Sequence, residues 1–162
     1  RAVAASSPLM DLILWRHAEA VECADPEQDF GRKLTARGEK QASRVGHWLD
    51  RQLPHTTRIW VSPAKRAQQT ADALGRNFKS REELGLDAGA DELLGLVQWP
   101  ACKTPTLLVG HQPALGQLIA RLLDIAGGEV QVKKGSVWWL RHRERDGIGQ
   151  TVLLAVQSPD TL

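Results

Sequence analysis

The chain has no tyrosine, one methionine and only two cysteines in 162 residues. Cys23 and Cys102 lie far apart and lack the CxxC spacing of a metal or redox site. One disulfide is the most they could form, and reduced thiols in a cytoplasmic protein are the expectation. No HExxH pair or carboxylate–histidine cluster is present, so neither a metal nor another cofactor is expected. No apolar run approaches membrane length, and the stretch Arg1 to Leu9 is too short and too weakly apolar for a signal peptide. The net charge is only +2, which gives no pull toward nucleic acid or an anionic membrane. Repeats, low-complexity tracts and interdomain linkers are missing too. What stands out instead is six tryptophans, which carry no functional reading.

The length suits one domain with a real core. Met10 stands just before the first strand, so residues 1–9 are expected as an N-terminal extension and 10–162 as a single domain. Leu12-Ile13-Leu14-Trp15 is a short continuous apolar run, the pattern of a strand buried on both faces. A polar loop from Val21 to Lys33 leads to a helix whose core face is Ala42, Val45, Leu49 and Leu53, stopped by Pro54. Arg58 to Val61 reads as a second strand. Ser62 as cap and Pro63 as first helical residue then predict a helix with Ala67, Ala71 and Leu74 buried.

Gly75 to Pro105 is hard to read beyond a short helix over Glu92 to Val97, with Asp91 as its cap. Thr106 to Gly110 is a third strand, and Leu115, Leu118, Ile119, Leu122 and Leu123 mark the strongest helix, broken at Gly127-Gly128. Ser136 to Leu140 and Thr151 to Gln157 predict a hairpin around a loop holding Gly147 and Gly149. The basic clusters Lys133-Lys134 and Arg141-His142-Arg143 read as solvated strand ends. Strands alternating with helices imply an α/β, three-layer α/β/α fold, its mainly parallel sheet closed by an antiparallel element at one side.

Three strand ends then look alike. Arg16-His17 follows the first strand, Arg66 falls in the first turn of the helix after the second, and His111 follows the third. In a parallel sheet these ends share one edge and converge on one cleft. Two arginines, two histidines and helix N-termini make a pocket for a multiply charged anion, and phosphate fits best. His17 offers a nitrogen able to act as nucleophile; His47 and His55 have no such context and read as structural or solvated.

Arg16-His17 after one strand, Ser62-Pro63-x-x-Arg66-Ala67-x-x-Thr70 after the next and Gly110-His111 after a later one resemble the histidine phosphatase superfamily, which includes the phosphoglycerate mutases. Arg16-His17-Ala18-Glu19-Ala20, Asp29-x-x-Arg32-x-Leu34-Thr35-x-x-Gly38 and Val109-Gly110-His111-Gln112-Pro113 are similar to the short SixA-type phosphohistidine phosphatases. The resemblance implies a phosphoglycerate mutase-like fold. It also implies His17 as the nucleophile taking the phosphoryl group, with Arg16, Arg66 and His111 as the clamp on its oxygens. Many relatives carry Gly where this chain has Ala18, a small change unless the position needs positive φ.

The expected activity is removal of phosphate from histidine on a protein, such as a phosphotransfer domain, through a covalent phosphohistidine intermediate. His17 should present a neutral nitrogen, its other ring nitrogen held by a hydrogen bond, while a phosphate dianion should favour charged His111. The alternatives are a phosphatase of small phosphomonoesters and a non-catalytic phosphate-binding module. Ester cleavage needs a carboxylic acid to protonate the leaving alkoxide. Eight carboxylates come into question: Glu19, Glu22, Asp25, Glu82, Glu83, Asp87, Asp91 and Glu92. None has a context that aims it at the cleft, and the thirty or so residues from Gly75 to Pro105 are too few for a large lid.

Overall fold

Leu12, Ile13, Leu14 and Trp15 are buried completely in strand β1 (Met10–Arg16), and the rest of the molecule is arranged on its two faces. The computed structural model describes residues 9–162, so the extension expected over residues 1–9 falls, but for Leu9, outside the described residues. The elements that follow are α1 (Ala36–Gln52), β2 (Arg58–Val61), α2 (Lys65–Asp72) and β3 (Lys79–Ser80). After them come α3 (Ala90–Val97), β4 (Thr106–Gly110), α4 (Ala114–Leu123), β5 (Val137–Arg145) and β6 (Ile148–Gln157).

The strands form one six-stranded sheet in the order β3-β2-β4-β1-β5-β6. The first four run parallel, and β5 and β6 are antiparallel. Side chains of successive strand residues point to opposite faces. Leu12 and Leu14 accordingly join Leu93 and Val97 of α3 and Leu115, Leu118 and Ile119 of α4. Ile13 and Trp15 join Val45 and Leu49 of α1 and Ala67 and Ala71 of α2 on the other side. This is the three-layer fold that alternating strand and helix patterns imply. Each fully buried Leu or Ile contributes about 1.5–3 kcal/mol relative to its exposed state. Among the described residues, no helix is long and apolar enough to cross a membrane.

Register makes the strand ends level. Arg16 lies opposite Gly110, and Val61 opposite Val109. Ser62, His17 and His111 therefore leave the sheet side by side.

Several local expectations need correction. The helix after β2 starts at Lys65, not Pro63, because the Ser62 hydroxyl accepts the Ala64 N–H and turns to His111 instead of capping the first turn. Helix α3 starts at Ala90, with the Glu92 carboxylate taking the Gly89 N–H, while Asp91 pairs with Arg121. The hairpin turn is only Asp146-Gly147, both at positive φ, so Gly149 belongs to β6. Arg141 is not a solvated strand end: its guanidinium grips the buried Asp11 carboxylate at 2.7 and 2.9 Å. The loop after β1 contains a 3-10 helix, Pro26–Gly31, opened by Asp25 accepting the Glu27 N–H. Cys23 and Cys102 are free.

Candidate active site

His17 follows β1 directly, and its backbone is locked on both sides. Its N–H donates to the Gly110 carbonyl and its carbonyl accepts from Gly135, both near 3 Å. The ring is 6 % exposed. Nδ1 lies 2.8 Å from the Ala18 carbonyl, which can only accept, so Nδ1 carries the proton and Nε2 keeps its lone pair. Burial, with neighbouring His111, Arg66 and Arg16 adding to it, lowers the His17 pKa to about 3. The ring is thus neutral, with the free nitrogen that a nucleophile requires.

Arg66 sits in the first turn of α2, 4 % exposed, where the core positions Ala67, Thr70 and Ala71 turn it inward. Its Nε donates to Nε2 of His17 at 3.4 Å. The far side of the guanidinium is held by Asp29, whose carbonyl accepts at 2.6 Å and whose carboxylate lies at 3.4 Å. Arg32 fixes Asp29 in turn, donating to its other carboxylate oxygen and to the Val21 carbonyl. The Arg32 hydrogen bond, with Arg66 adding to it, holds the Asp29 carboxyl below the usual carboxylate range.

Thr70 ties α2 to the loop after His17: its Oγ1 accepts the Ala18 N–H and donates to the Arg66 carbonyl. Ala18 itself is fully buried and lies outside the left-handed region, so alanine fits there without strain. Gly38 has a different reason to be glycine. A Cβ there would lie 1.9 Å from the Glu19 carbonyl oxygen, and Thr35 caps α1 by accepting the Gly38 N–H.

Arg16 extends from the end of β1, and one Nη donates to the Val132 carbonyl at 2.9 Å. The segment carrying Val132 is anchored by Gln112, whose amide donates to the Val130 carbonyl and accepts the Gly116 N–H. His111 lies with its ring centroid 5.2 Å from that of His17. Its Nε2 meets Ser62 Oγ at 2.7 Å. Burial, with Arg66 and Arg16 adding to it, lowers the His111 pKa to about 4, so the ring is neutral in the free protein. Arg16 Nε, His111 Nδ1 and Ser136 Oγ are all buried without a hydrogen-bond partner among the described residues. Unpaired buried donors beside two arginines make a place suited to a polyvalent oxyanion.

The four residues singled out in the sequence, His17, Arg16, Arg66 and His111, are thus brought together. Asp29, Ser62 and Thr70 also belong to the site, and sequence reasoning gave Asp29 and Thr70 no role and Ser62 only that of a helix cap. All three stand in the quoted motifs, but only a three-dimensional arrangement shows what each one touches. None of the eight carboxylates weighed as acids bonds to the four. Glu19 is taken by Thr35 and Arg37, Glu83 by Arg81, and Glu22 lies 4.0 Å from Arg32. His47 and His55 are exposed elsewhere. Among the described residues, no group of three or more His, Cys, Asp or Glu could hold a metal ion.

Comparison with known proteins agrees with this geometry. Residues 12–97, just over half of the chain, match the model of the histidine phosphatase superfamily, branch 1. A phosphohistidine phosphatase SixA homolog of Haemophilus influenzae is 30% identical over 129 residues, covering 70% of this chain and 77% of that one. Among solved structures, a SixA from Nakamurella multipartitia superposes with a TM-score of 0.76 at 26% identity, covering 95% of this chain and 98% of that one. A protein histidine phosphatase SixA complexed with tungstate shares the fold, with a TM-score of 0.71 at 23% identity over 94% and 99% of the two chains. His111 lies beyond the matched stretch, yet the parallel register of β4 and β1 delivers it to the same cleft. The chain belongs to the histidine phosphatase superfamily, branch 1, and its fold is of the SixA type.

Proposed function

We propose that the protein is a phosphohistidine phosphatase acting on histidine-phosphorylated proteins in the cytoplasm, with His17 as nucleophile. Nε2 of His17 attacks phosphorus while the bond from phosphorus to the substrate imidazole breaks. The substrate ring, already protonated on its other nitrogen, leaves as neutral imidazole. Water then attacks the phosphoryl group on His17, freeing inorganic phosphate and restoring the neutral ring. Arg66, Arg16 and His111 hold the three equatorial oxygens during both transfers, where positioning and charge stabilisation supply most of the catalysis.

One observation carries the choice of substrate. Among the described residues, the carboxylate bonded to this site is Asp29, and two arginines keep it ionised. An ionised carboxylate has no proton to give, so an alkoxide leaving group would go unaided. A phosphohistidine ring takes its proton on the other nitrogen, with a pKa near about 6.5, and so leaves as neutral imidazole without such help. A protein substrate is supported by the segment after α2. It forms β3, a 3-10 turn and α3, and α3 packs on the sheet beside α4 through Leu93 and Val97 rather than building a separate lid domain.

The test compares kcat/KM on a phosphohistidine-bearing phosphotransfer domain with that on several alkyl phosphates. The phosphohistidine protein should be the better substrate by orders of magnitude. Ester rates equal to it would overturn the proposal in favour of a small-phosphomonoester phosphatase. Phosphate bound without turnover of either class would leave a non-catalytic binding module.

A further inference from the structure

Ser62 and His111 form a pair whose protons can be placed by counting. Ser62 is fully buried, and its Oγ lies 2.7 Å from His111 Nε2. The same oxygen accepts the Ala64 N–H at 3.2 Å. A hydroxyl has one proton to donate, and a neutral imidazole has one donor and one acceptor nitrogen. If Nε2 donated to Oγ, the hydroxyl proton would have no acceptor among the described residues, in a place water does not reach. That arrangement leaves two buried groups unpaired, the hydroxyl proton and the Nδ1 lone pair, and is the costlier one. With the hydroxyl donating, both donors at Oγ are matched, the hydroxyl proton to Nε2 and the Ala64 N–H to the oxygen, and the one donor left without a partner is the proton on Nδ1. That nitrogen is buried and has no partner among the described residues.

We infer that Ser62 is a positioning residue: its hydroxyl donates to Nε2 of His111 and so places the imidazole proton on Nδ1, which offers it to an oxygen of the bound phosphoryl group. This rests on reading the site as a phosphatase, and it assigns Ser62 a role other than helix capping. The charged and titratable groups around His111 are Arg66, Asp29, Arg16 and His17. Burial and the two arginines keep the ring neutral, so a fixed tautomer rather than a positive charge makes it a donor in the free protein. A neutral ring free to take either tautomer would present an acceptor nitrogen to the anion part of the time, which repels it. The ring would then have to reorganise on each binding event.

Long-range proton–nitrogen correlation spectra of the full chain, labelled with ¹⁵N-histidine, test this at pH 7. His111 should show a protonated Nδ1 and an unprotonated Nε2, and added inorganic phosphate should move the Nδ1 signal more than the Nε2 signal. In Ser62→Ala the proton should shift toward Nε2, with kcat/KM falling about tenfold, the scale of one lost hydrogen bond. Ser62→Thr keeps the hydroxyl and should keep both the tautomer and most of the rate. A protonated Nε2 in the unmodified protein would overturn the assignment, as would an unchanged tautomer in Ser62→Ala. The spectra of the unmodified protein decide the matter even if the variants fail to fold. They report the tautomer whether or not turnover occurs, so a wrong substrate class and a wrong role for Ser62 give different results.

Discussion

Nε of Arg66 lies 3.4 Å from Nε2 of His17, so the guanidinium already points at the nitrogen that the proposed mechanism makes the nucleophile. A phosphorus atom bonded to Nε2 would take the place of that N–H and bring its oxygens within reach of the guanidinium. Preorganisation of this kind contributes most where charge develops in the transition state. His17→Ala should therefore abolish turnover, and acid-quench labelling of the unmodified protein should find phosphate on His17. Arg66→Lys should lower kcat about a hundredfold or more, because a single ammonium cannot meet both His17 and Asp29. Retention of most activity in His17→Ala would rule out the mechanism.

Anions should stabilise the fold. Burial lowers the pKa of both Arg16 and Arg66, and an anion bound beside them would offset that desolvation in the native state alone. An oxyanion that binds the native state alone adds about 2.7 kcal/mol at a hundred times its dissociation constant. For a chain of this size, that raises Tm by about 5–10 °C. Inorganic phosphate or tungstate should produce this shift in thermal melts, and Arg16→Ala and Arg66→Ala should lose most of it.

Stability should fall with acidification in a window set by the two histidines. His17 titrates near 3 and His111 near 4 in the folded protein, against 6.5 for an ordinary histidine. The unfolded chain therefore binds up to two more protons as pH drops below about 6.5, and folding loses about 1.4 kcal/mol per pH unit for each. The contribution is fully present above that pH and is lost toward the folded values. Urea melts between pH 6.5 and 5, above most carboxylate titration, should show the slope, and His17→Ala should reduce it. The same neutrality keeps the His17 ring unprotonated in the free protein at pH 5, so kcat/KM should show no acid limb from His17 there.

How much of this was legible in the sequence depends on the range of each interaction. Strand β1, helix α4 and the convergence of Arg16, His17, Arg66 and His111 follow from local periodicity and parallel topology. The site's supports do not. Asp29 meets Arg66 across 37 residues and Ser62 meets His111 across 49, and no local pattern encodes either pairing. Ser62 even carries a misleading signal, since Ser-Pro before a helix reads as a cap. Arg141 misleads in the opposite way: its charged neighbours suggest solvent, while its partner Asp11 is 130 positions away.

Catalysis should need no metal. In the proposed mechanism the oxyanion meets N–H donors of Arg16, Arg66 and His111, and the two arginines supply the positive charge a divalent ion would bring. Activity measured after exhaustive treatment with EDTA and 1,10-phenanthroline should equal that before it. Recovery of a lost rate by added Mg²⁺ or Zn²⁺ would contradict the clamp.

Asp29 should prove to be an anchor and not an acid. Its carboxylate accepts from Arg32 at 3.0 Å and approaches Arg66 at 3.4 Å, and its carbonyl accepts from Arg66 at 2.6 Å. Asp29→Asn keeps the carbonyl contact and a hydrogen-bonding side chain, but removes the charge that opposes two arginines. Asp29→Ala removes the side chain altogether. If Asp29 only aims Arg66, both variants should slow all substrates together, Asn by less than about tenfold and Ala by about ten- to a hundredfold, as for a misdirected oxyanion donor. The ratio of kcat/KM for phosphohistidine protein to alkyl phosphate should stay constant. An acid would behave differently: its loss should depress ester cleavage far more than phosphohistidine cleavage, because only the alkoxide needs the proton. The distinction can be read from the ratio even if part of each variant is misfolded, since inactive protein scales both rates equally. A ratio that rises sharply in Asp29→Asn would make Asp29 the proton donor and would return small phosphomonoesters to the substrate list.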